Sequence, residues 1–467
     1  MTDDRTADSS RVDAAASPRS NAETAGSPGI ERALGRLVPP GASASVLAVR
    51  ADDGAVVAAL DPDRAVTPAS NTKLITAALA LEHLGPDRRL ETAFAARGRI
   101  EDGVLDGDLV VRGTGAPGVD RADIRTLADA AAARIDRLEG DLLLDTSRFE
   151  GPRFGPGRVW TDARHAYGAP SSALALEGNV VSVTVRASEE VVAAVDPGMD
   201  AVAVDVAARV DPAAAEPDGD DRDLDVYTDP CSGRIRAEGR LPPGAEATVE
   251  VPVADPIRHF GAAAGEALSA AGVDVAGSVR IADGPVGTDQ QLAAVESASV
   301  AGLVRSMNVD SDNVVADSLA RSVATTVTGE GSWAAWEAVV DDRLSSLGVG
   351  TASIRDGSGL SRYSLVPARG VVALLEWVAD RPWTDVFYGS LPRPGEGTLA
   401  DRLDGVTVAA KTGTLTGVRA LSGRVGDGGE TIRFAALVGG LAVDEESVRD
   451  RQDDLVRELA ASCAPVE

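Results

Sequence analysis

Lysine is nearly absent from this chain, although basic residues are not scarce. Lys73 and Lys411 are the two lysines among 467 residues, so arginine supplies the other 43 of the 45 basic residues. With 73 acidic residues, the formal net charge is −28. This charge argues against nucleic acids and anionic membranes as partners, because their phosphates would be repelled. Carboxylates keep a surface hydrated when salt screens repulsion, so the composition suggests adaptation to salt or, more simply, codon bias.

Cysteine, histidine and long apolar runs are also scarce. Cys231 and Cys463 cannot form a disulfide framework and are expected to be reduced. The three histidines stand far apart and no HExxH or CxxC motif occurs, so we expect no metal site and no other cofactor. A Ser-His-Asp hydrolase is disfavoured because there is no G-x-S-x-G turn. No apolar run reaches the roughly 18–20 residues of a membrane-spanning helix.

The first 28 residues differ in composition from the rest of the chain. They are rich in Ser, Asp, Ala and Pro, and they contain neither a basic region followed by an apolar stretch nor a twin-arginine pair. Such a composition predicts disorder and lacks what an export signal needs. We therefore expect residues 1–28 to be a disordered leader, and the missing signal favours a cytoplasmic location.

Periodic patterns predict an α+β fold. Alternating apolar residues at 44–50 and 55–61 flank an Ala-Asp-Asp-Gly turn, the pattern of a β-hairpin. A strongly apolar helix of about 17 residues is predicted to follow Thr67, with Pro68 in its first turn and Gly85 at its end. Helices and antiparallel strands near both ends of the chain favour one discontinuous domain with a long insertion.

The insertion is predicted from a change to short, β-rich segments after residue 97. We expect the discontinuous domain to comprise residues 29–96 and 287–467. The inserted residues 97–286 are predicted to form a second domain (97–175 and 256–286) and a third (176–255). No internal repeat of fixed period occurs.

Each lysine lies in a short motif. The first is Ser70-Asn-Thr-Lys73, an S-x-x-K, and the second begins the K-T-G of residues 411–413; Ser311-Asp-Asn313 lies between them. Together they match the motif set of penicillin-binding proteins and class A β-lactamases. Arginine stays protonated and cannot act as a base, whereas a desolvated lysine can lose its proton and accept one from a hydroxyl. Lysine therefore persists where its chemistry is needed.

The spacing of the first motif favours nucleophilic catalysis. Residues three apart share one face of a helix, so Oγ of Ser70 and Nζ of Lys73 can meet. In the first turn of a helix, free N–H groups and the helix dipole favour developing negative charge. The backbone N–H of Ser70 can therefore donate to an oxyanion. The alternative is an ordinary amphipathic helix with one exposed lysine.

The other two motifs each have a functional and a structural interpretation. Ser311 and Asn313 precede an apolar helical run, so a helix N-cap is the alternative to a proton relay and a substrate-binding amide. Residues 411–414 follow an alternating strand. Gly413 lacks a side chain, so another backbone can approach closely, and a peptide can add alongside the strand. Lys411 and the two threonines then face the substrate's terminal carboxylate.

As a set, the motifs resemble those of the serine D,D-peptidases, the penicillin-binding proteins. The 237 residues between Lys73 and Ser311 exceed what a compact β-lactamase holds. They resemble the low-molecular-mass class C group, the D-alanyl-D-alanine carboxypeptidase/endopeptidases, which carry inserted domains at this point. Phrases such as GDLVVRGTGAP and MNVDSDNVVADSLAR extend the similarity over most of residues 30–467. The resemblance implies an antiparallel sheet flanked by helices, the β-lactamase/D,D-peptidase-like fold, with inserted β-rich domains.

The resemblance also implies roles for individual residues. Ser70 is then the acylated nucleophile, Lys73 the general base and Ser311 the relay to the leaving amine. The backbone N–H groups of Ser70 and Thr414 form the oxyanion hole. The substrate-binding residues are Asn313, Lys411, Thr412, Gly413 and Thr414. A loop near the site is matched by Asp356, Gly357, Ser358 and Ser361, without a role that the sequence defines. The implied substrate is a peptide ending in D-alanine, and β-lactams are the implied covalent inhibitors.

Four alternatives remain open at this stage. One is a β-lactamase, with Glu177 as the carboxylate that positions a hydrolytic water. Another is a D-amino-acid peptidase or esterase of the same fold. A third is a non-catalytic sensor or binding protein. The fourth is dinucleotide binding, suggested by the G-x-G-x-x-G of residues 113–118 with Asp145 at the end of the next strand.

Overall fold

The computed structural model describes residues 27–196, 204–215, 223–427, 430–442 and 445–463. Within these residues the helices are α1 (Pro28–Leu37), α2 (Thr72–His83), α3 (Arg121–Ala132), α4 (Pro256–Ala270), α5 (Val300–Val309), α6 (Asn313–Thr328), α7 (Trp333–Ser346), α8 (Ala368–Ala379), α9 (Thr384–Ser390) and α10 (Glu445–Ser462). The strands are β1 (Ser43–Arg50), β2 (Val56–Leu60), β3 (Arg89–Glu101), β4 (Val104–Gly113), β5 (Arg137–Leu138), β6 (Leu142–Asp145), β7 (Val180–Ala187), β8 (Val191–Asp196), β9 (Val204–Val206), β10 (Arg209–Val210), β11 (Leu224–Thr228), β12 (Ile235–Leu241), β13 (Glu246–Pro252), β14 (Asp274–Val275), β15 (Val279–Ile281), β16 (Gln290–Ser299), β17 (Val408–Leu415), β18 (Val418–Val425) and β19 (Ile432–Gly439). Apart from its last two residues, the predicted leader lies outside the described residues.

Five antiparallel strands form one sheet in the order β17, β18, β19, β1 and β2. The predicted hairpin is confirmed, since β1 pairs with β2 and Val46 lies opposite Leu60. Successive side chains of a strand point to opposite faces. Val46 and Ala48 share a core with α1 and α10, whereas Leu47 and Val49 share a core with α2 and α8. The sheet therefore lies between two helical layers, and each fully buried Val or Leu contributes about 1.5–3 kcal/mol.

A second, mixed sheet of seven strands lies between residues 89 and 299. Its long strand β3 pairs antiparallel with β4 on one side and β16 on the other. Parallel pairs extend it from β4 through β6 to β15 and through β5 to β14. Parallel neighbours need crossover connections, and α3 supplies the one between β4 and β5. Helices α3 and α4 cover the sheet through Ile124, Leu127 and Phe260, which are buried in a core continuous with that of α2.

Strands β7 to β13 form a third unit with a core of its own. One sheet has the order β13, β7, β8; the other has the order β10, β12, β11, with β9 also paired to β12. Val181, Val183 and Val185 of β7 are buried and alternate with more exposed residues, as in a strand with one face in a core. All buried residues of this core come from residues 181–253.

The α+β architecture is as the sequence predicted, whereas the domain limits stay a prediction. Strand β3 crosses the limit predicted at residue 97, and its partner β16 lies entirely beyond the limit predicted at residue 287. We propose that the second unit spans residues 89–175 and 256–299, with the third between its two parts. None of the helices in the described part of the chain has the length and apolar character needed to cross a membrane.

Candidate active site

Three segments that are distant in sequence meet at one place: the residues before α2, the turn between α5 and α6, and β17. They border a cavity of about 500 Å³. Its walls are formed by Ser70, Asp162, Tyr167, Asp310, Ser311, Asn313, Leu360, Arg362, Thr398, Thr412, Thr414, Leu415 and Thr416. A groove of about 590 Å³ on the second sheet contains none of the motif residues. The structure thus brings the three motifs to one place.

Ser70 lies in a tight 3₁₀ turn, not in the first turn of the predicted helix. The turn spans Ala69–Asn71 and α2 begins only at Thr72, so the predicted helix start at Pro68 is wrong. Ala69 is buried and has a φ of +49°, a left-handed conformation that is uncommon for residues with a Cβ. Such backbone strain costs of order 1–3 kcal/mol and clusters at functional sites. The turn presents the Ser70 side chain to the cavity.

Nζ of Lys73 has three hydrogen-bond partners in the protein interior. It lies 3.0 Å from Oγ of Ser70, 2.6 Å from Oδ1 of Asn313 and 2.7 Å from the carbonyl oxygen of Ser358. The amide oxygen and the carbonyl can only accept hydrogen bonds. A neutral Nζ therefore directs its two N–H bonds at them, which leaves its lone pair facing the Ser70 hydroxyl. The arrangement suits a base that removes the proton of Ser70.

The electrostatic setting of Lys73 favours this neutral form. Complete burial lowers the pKa of Lys73 from 10.5 to about 8, because an ammonium is poorly solvated in the interior. The carboxylates of Asp317, Asp356 and Asp312 raise this pKa, and the Arg158 guanidinium lowers it. Desolvation is the largest of these effects, so a substantial share of Lys73 is neutral close to pH 8.

Ser311 links Ser70 to the second lysine. Its Oγ donates to Oγ of Ser70 at 3.1 Å and accepts from Nζ of Lys411 at 3.1 Å. Lys411 is fully buried, and desolvation together with the charge of Lys73 holds its pKa well below the usual value. Ser311 itself has a φ of +60°. The chain of contacts from Lys411 through Ser311 to Ser70 provides a path for a proton.

The Ser-Asp-Asn motif provides a helix N-cap through one residue and places the other two at the site. The middle residue, Asp312, is the N-cap of α6 and accepts from the N–H of Val315 at 2.9 Å. Ser311 and Asn313 face the site. Besides contacting Lys73, Asn313 donates through Nδ2 to the carbonyl of Tyr167 at 2.7 Å. Binding of a substrate amide by Asn313 stays a prediction, and it requires this amide to leave or share the Tyr167 carbonyl.

Strand β17 lies at the edge of its sheet and presents backbone groups to the cavity. The N–H of Ala410 points off the sheet, because it donates to the carbonyl of Pro392. By the two-residue period of a strand, the N–H groups of Thr412 and Thr414 point the same way. A Cβ at Gly413 would lie 2.8 Å from a backbone oxygen of the turn before α2. The missing side chain therefore lets the backbone of this turn approach the strand closely.

The loop that the sequence marked without a role supports Lys73 from behind. Asp356 is fully buried and accepts hydrogen bonds from Oγ of Ser358 and from the N–H groups of Gly359 and Ser361, at 2.8–3.1 Å. These bonds fix the loop so that the Ser358 carbonyl points at Nζ of Lys73. The carbonyl of Gly357 accepts from a threonine of α2, which anchors the loop to the same helix.

Sequence reasoning missed several residues in and under the cavity. Asp317 had one available signal, since it follows Asn313 by four residues and so shares its helix face. Arg158, Asp162 and Tyr167 come from the segment after β6, which carries no recognisable motif. In that segment Tyr167 donates to Oδ1 of Asp162 at 3.1 Å. Oδ2 of Asp162 is buried and has no hydrogen-bond partner among the described residues, and Arg362 borders the same cavity.

The other sequence candidates lie apart from the cavity. Glu177 forms an ion pair with Arg121 at 3.6 Å and is not part of the cavity walls. A Cβ at Gly113 or Gly115 would clash with the carbonyl of a neighbouring loop or the ring of Phe149, so close packing explains these glycines. Asp145 accepts from two protein N–H groups and a hydroxyl. Within the described residues, no group of three or more His, Cys, Asp or Glu side chains is placed to hold a metal ion.

Comparison with known proteins gives consistent matches along the chain. Residues 33–462 match the model of the D-Ala-D-Ala carboxypeptidase 3 (S13) family. A D-alanyl-D-alanine carboxypeptidase of Actinomadura sp. (strain R39) is 35% identical, over 82% of this chain and 75% of the relative. D-alanyl-D-alanine carboxypeptidase DacB of Haemophilus influenzae is 28% identical over 91% of each chain. The crystal structure of penicillin binding protein 4 from Haemophilus influenzae aligns with a TM-score of 0.79 at 28% identity, covering 93% of this chain and 98% of that one.

Proposed function

The chain belongs to the S13 family of D-Ala-D-Ala carboxypeptidases, which are penicillin-binding serine hydrolases, and we propose that it works through an acyl-enzyme on Ser70. The substrate proposed is a peptide that ends in D-alanine. The observation that carries the proposal is the buried Nζ of Lys73, 3.0 Å from Oγ of Ser70 and otherwise surrounded by hydrogen-bond acceptors. A lysine in that setting is a suitable general base close to neutral pH.

Acylation begins when Oγ of Ser70 attacks the carbonyl carbon of the last peptide bond. The hydroxyl proton passes to the lone pair of Lys73, and the carbonyl electron pair moves onto oxygen to give a tetrahedral oxyanion. We assign the N–H groups of Ser70 and Thr414 as its hydrogen-bond donors, because both residues border the cavity. A donor of this kind contributes about 3–4 kcal/mol to transition-state stabilisation.

The leaving amine takes its proton from Ser311. As the tetrahedral intermediate collapses, the carbon–nitrogen bond breaks and the nitrogen accepts the hydroxyl proton of Ser311, whose oxygen lies 3.1 Å from Oγ of Ser70. Lys73 and Ser311 both contact Oγ of Ser70. The proton that Lys73 took from Ser70 moves to the oxygen of Ser311 and replaces the one given to the amine, so acylation consumes no net proton. Lys411, 3.1 Å from Ser311, stabilises the relay oxygen during the transfer.

Hydrolysis then releases the acyl group. A water molecule attacks the ester carbon and gives its proton to Lys73; the carbon–oxygen bond breaks, and Oγ of Ser70 takes the proton back. A fast step here would make the protein a β-lactamase. Because Glu177 is paired with Arg121 outside the cavity, it does not serve the role considered for it. We therefore propose slow release of penicillin and a peptidase function.

The cavity also suggests how the substrate is bound. The peptide adds as a strand along the free edge of β17, and its terminal carboxylate meets Lys411, Thr412 and Thr414. Further from the reacting bond lie Oδ2 of Asp162, which has no partner among the described residues, and the guanidinium of Arg362; together they offer charges of both signs. We propose that the acyl part of the substrate carries an ammonium group that pairs with Oδ2 of Asp162, because a buried carboxylate oxygen that accepts no hydrogen bond is costly.

Covalent labelling with a fluorescent penicillin in molar KCl tests the proposal. The wild-type protein should be labelled on Ser70, and the Ser70→Ala variant should not. Ser346→Ala, on the exposed end of α7, is the control and should be labelled like wild type. Release of D-alanine from a peptide ending in D-Ala-D-Ala should follow the same pattern. Folded wild-type protein that takes no label would contradict the mechanism, and loss of the label within minutes would indicate a β-lactamase.

A further inference from the structure

A buried ion pair lies behind Lys73 and joins two parts of the chain that are distant in sequence. Nη2 of Arg158, from the segment after β6, lies 2.9 Å from Oδ2 of Asp317 in α6, and their side chains are 3% and 1% exposed. Arg158 also donates to the carbonyls of Gly168 and Ala169 and lies over the ring of Phe154. Buried pairs often contribute little net stability, because desolvation offsets the attraction. Stability alone therefore does not explain this pair.

Both members of the pair bind the loop that supports Lys73. Oδ1 of Asp317 accepts from the N–H of Gly357 at 3.2 Å, and Nη2 of Arg158 donates to Oγ of Ser358 at 3.3 Å. The carbonyl of that same serine accepts from Nζ of Lys73 at 2.7 Å. The ion pair is thus one hydrogen bond removed from a direct partner of the base.

Helix α6 connects the pair to the site a second time. Asn313 and Asp317 are four residues apart and therefore share one helix face. Asn313 contacts Nζ of Lys73, while Asp317 contacts the loop and Arg158. A shift of α6 or of the segment after β6 would therefore move two of the three partners of Lys73 together, namely Asn313 and the carbonyl of Ser358.

Charged groups face this cluster from every element packed around it. They are Asp312 and Asp317 of the α6 region, Asp356 of the loop, Arg158 of the inserted segment, Arg321 of α6 and Lys411 of β17. Burial raises the pKa of Asp317 to about 6 against the opposing effect of Arg158. Asp317 is therefore ionised in the pH range where Lys73 titrates, and the two members of the pair act on Lys73 with opposite signs.

We propose that Arg158 and Asp317 are a positioning pair: the segment after β6 supplies a buried guanidinium that orders the loop of residues 356–361 and, with Asp317, acts by its charge on Lys73. The proposal rests on the proposed role of Lys73 as the base. On this proposal the segment after β6 takes part in the reaction through Arg158. Without Arg158, the carboxylates around Lys73 would have one fewer buried positive charge beside them.

Opposite substitutions should have opposite effects on the pH dependence of acylation. Asp317→Asn removes a negative charge, so Lys73 should lose its proton more readily and the acidic limb of the profile should move to lower pH. Arg158→Met removes a positive charge, so Lys73 should hold its proton more tightly and the acidic limb should move to higher pH. Arg158→Lys keeps the charge and should restore most of the wild-type midpoint.

The experiment measures second-order rates of labelling by a fluorescent penicillin from pH 5.5 to pH 9.5, each normalised to the plateau of its own variant. We expect each limb to move by at least half a pH unit, which is about a three-fold change in relative rate on the acidic side. The double variant Arg158→Met/Asp317→Asn should have a midpoint between those of the two single variants.

The ion pair between Arg402 and Asp453 provides a matched control, because it is also largely buried but lies between α10 and the residues before β17. Arg402→Met should lower the melting temperature without moving the limb. If Arg158→Met and Asp317→Asn lower the plateau but leave the midpoint at its wild-type pH, the pair is only structural and the proposal is wrong. Failure of the wild-type protein to take any label would instead refute the proposed function.

Discussion

The side-chain amide of Asn71 donates a hydrogen bond to the backbone carbonyl of Lys411 at 2.9 Å. The residue after Ser70 is thereby tied to the residue that begins the third motif, 340 positions further along the chain. Asn71 is buried, and its Oδ1 has no hydrogen-bond partner within the described ranges. Burying Oδ1 without a hydrogen bond costs free energy, which offsets the stability gained from the bond to Lys411. We therefore infer that this bond mainly fixes the position of Ser70 relative to β17.

The substitution Asn71→Ala should therefore impair acylation more than its effect on stability implies. Loss of the bond should lower the free energy of unfolding by about 1–2 kcal/mol and slow penicillin labelling at least ten-fold. Gln452→Ala is the control: Gln452 donates to the carbonyl of Ala436 at 2.9 Å on the other face of the same sheet. It should destabilise the protein similarly without slowing labelling. Equal labelling rates in the two variants, measured beside urea unfolding, would show that the Asn71 bond has no special role.

Lys73 should reduce the stability of the folded protein at neutral pH. Its pKa is about 8 when folded against 10.5 for an ordinary lysine, so the folded protein binds fewer protons between these values. The contribution of this group to stability therefore rises with pH across that window and is least favourable below pH 8. Lys73→Met should raise the free energy of unfolding at pH 7 by about 1–3 kcal/mol and abolish labelling.

A comparison with Lys73→Arg separates charge from size. Arginine cannot lose its proton in the accessible pH range, so this variant should be inactive and less stable than Lys73→Met. Chemical unfolding at pH 7 and pH 9.5 provides the measurement. The difference in free energy of unfolding between wild type and Lys73→Met should be smaller at pH 9.5 than at pH 7. If there is no difference at pH 7, burial of Lys73 does not destabilise the folded protein.

The motif residues could be predicted because their chemistry restricts the residue type. In a chain that uses arginine almost everywhere, the two lysines are the natural candidates for a neutralisable amine, and both lie within hydrogen-bond distance of the predicted serines. Arg158 could not be found in this way, since it is one of 43 arginines and its role arises only from the fold. The start of α2 was misplaced for a similar reason, because the left-handed Ala69 reflects tertiary packing that local propensity does not describe.

The strongly acidic composition predicts that salt stabilises the protein. A net charge of −28 destabilises the compact state through repulsion between carboxylates, and added salt screens it. We expect the melting temperature to rise steadily as KCl increases from about 0.1 M to the molar range, where the Debye length falls to about 3 Å. Sucrose at matched osmolality is the control, because it does not screen charge. If KCl and sucrose raise the melting temperature equally, the effect is solute exclusion and not charge screening. The acidic composition would then be explained by codon bias and not by adaptation to salt.

Gly359 provides the sharpest test of the loop behind the site. It has a φ of +85°, and a Cβ at this position would lie 1.9 Å from the carbonyl oxygen of Ala69. Gly272 has a similar φ of +95°, but nothing lies within 4 Å of its would-be Cβ. Both substitutions to alanine bear the cost of a left-handed conformation, about 1–2 kcal/mol.

Only Gly359→Ala must also displace the turn that presents Ser70, so it should slow penicillin labelling more than ten-fold, while Gly272→Ala should be labelled at the wild-type rate. Urea unfolding beside the labelling assay gives both quantities for each variant. The difference between the two variants isolates the steric contact from the backbone conformation. Labelling of Gly359→Ala at the wild-type rate would mean that the loop and the nucleophile turn can separate without consequence, and the support of Lys73 by Ser358 would then need another origin.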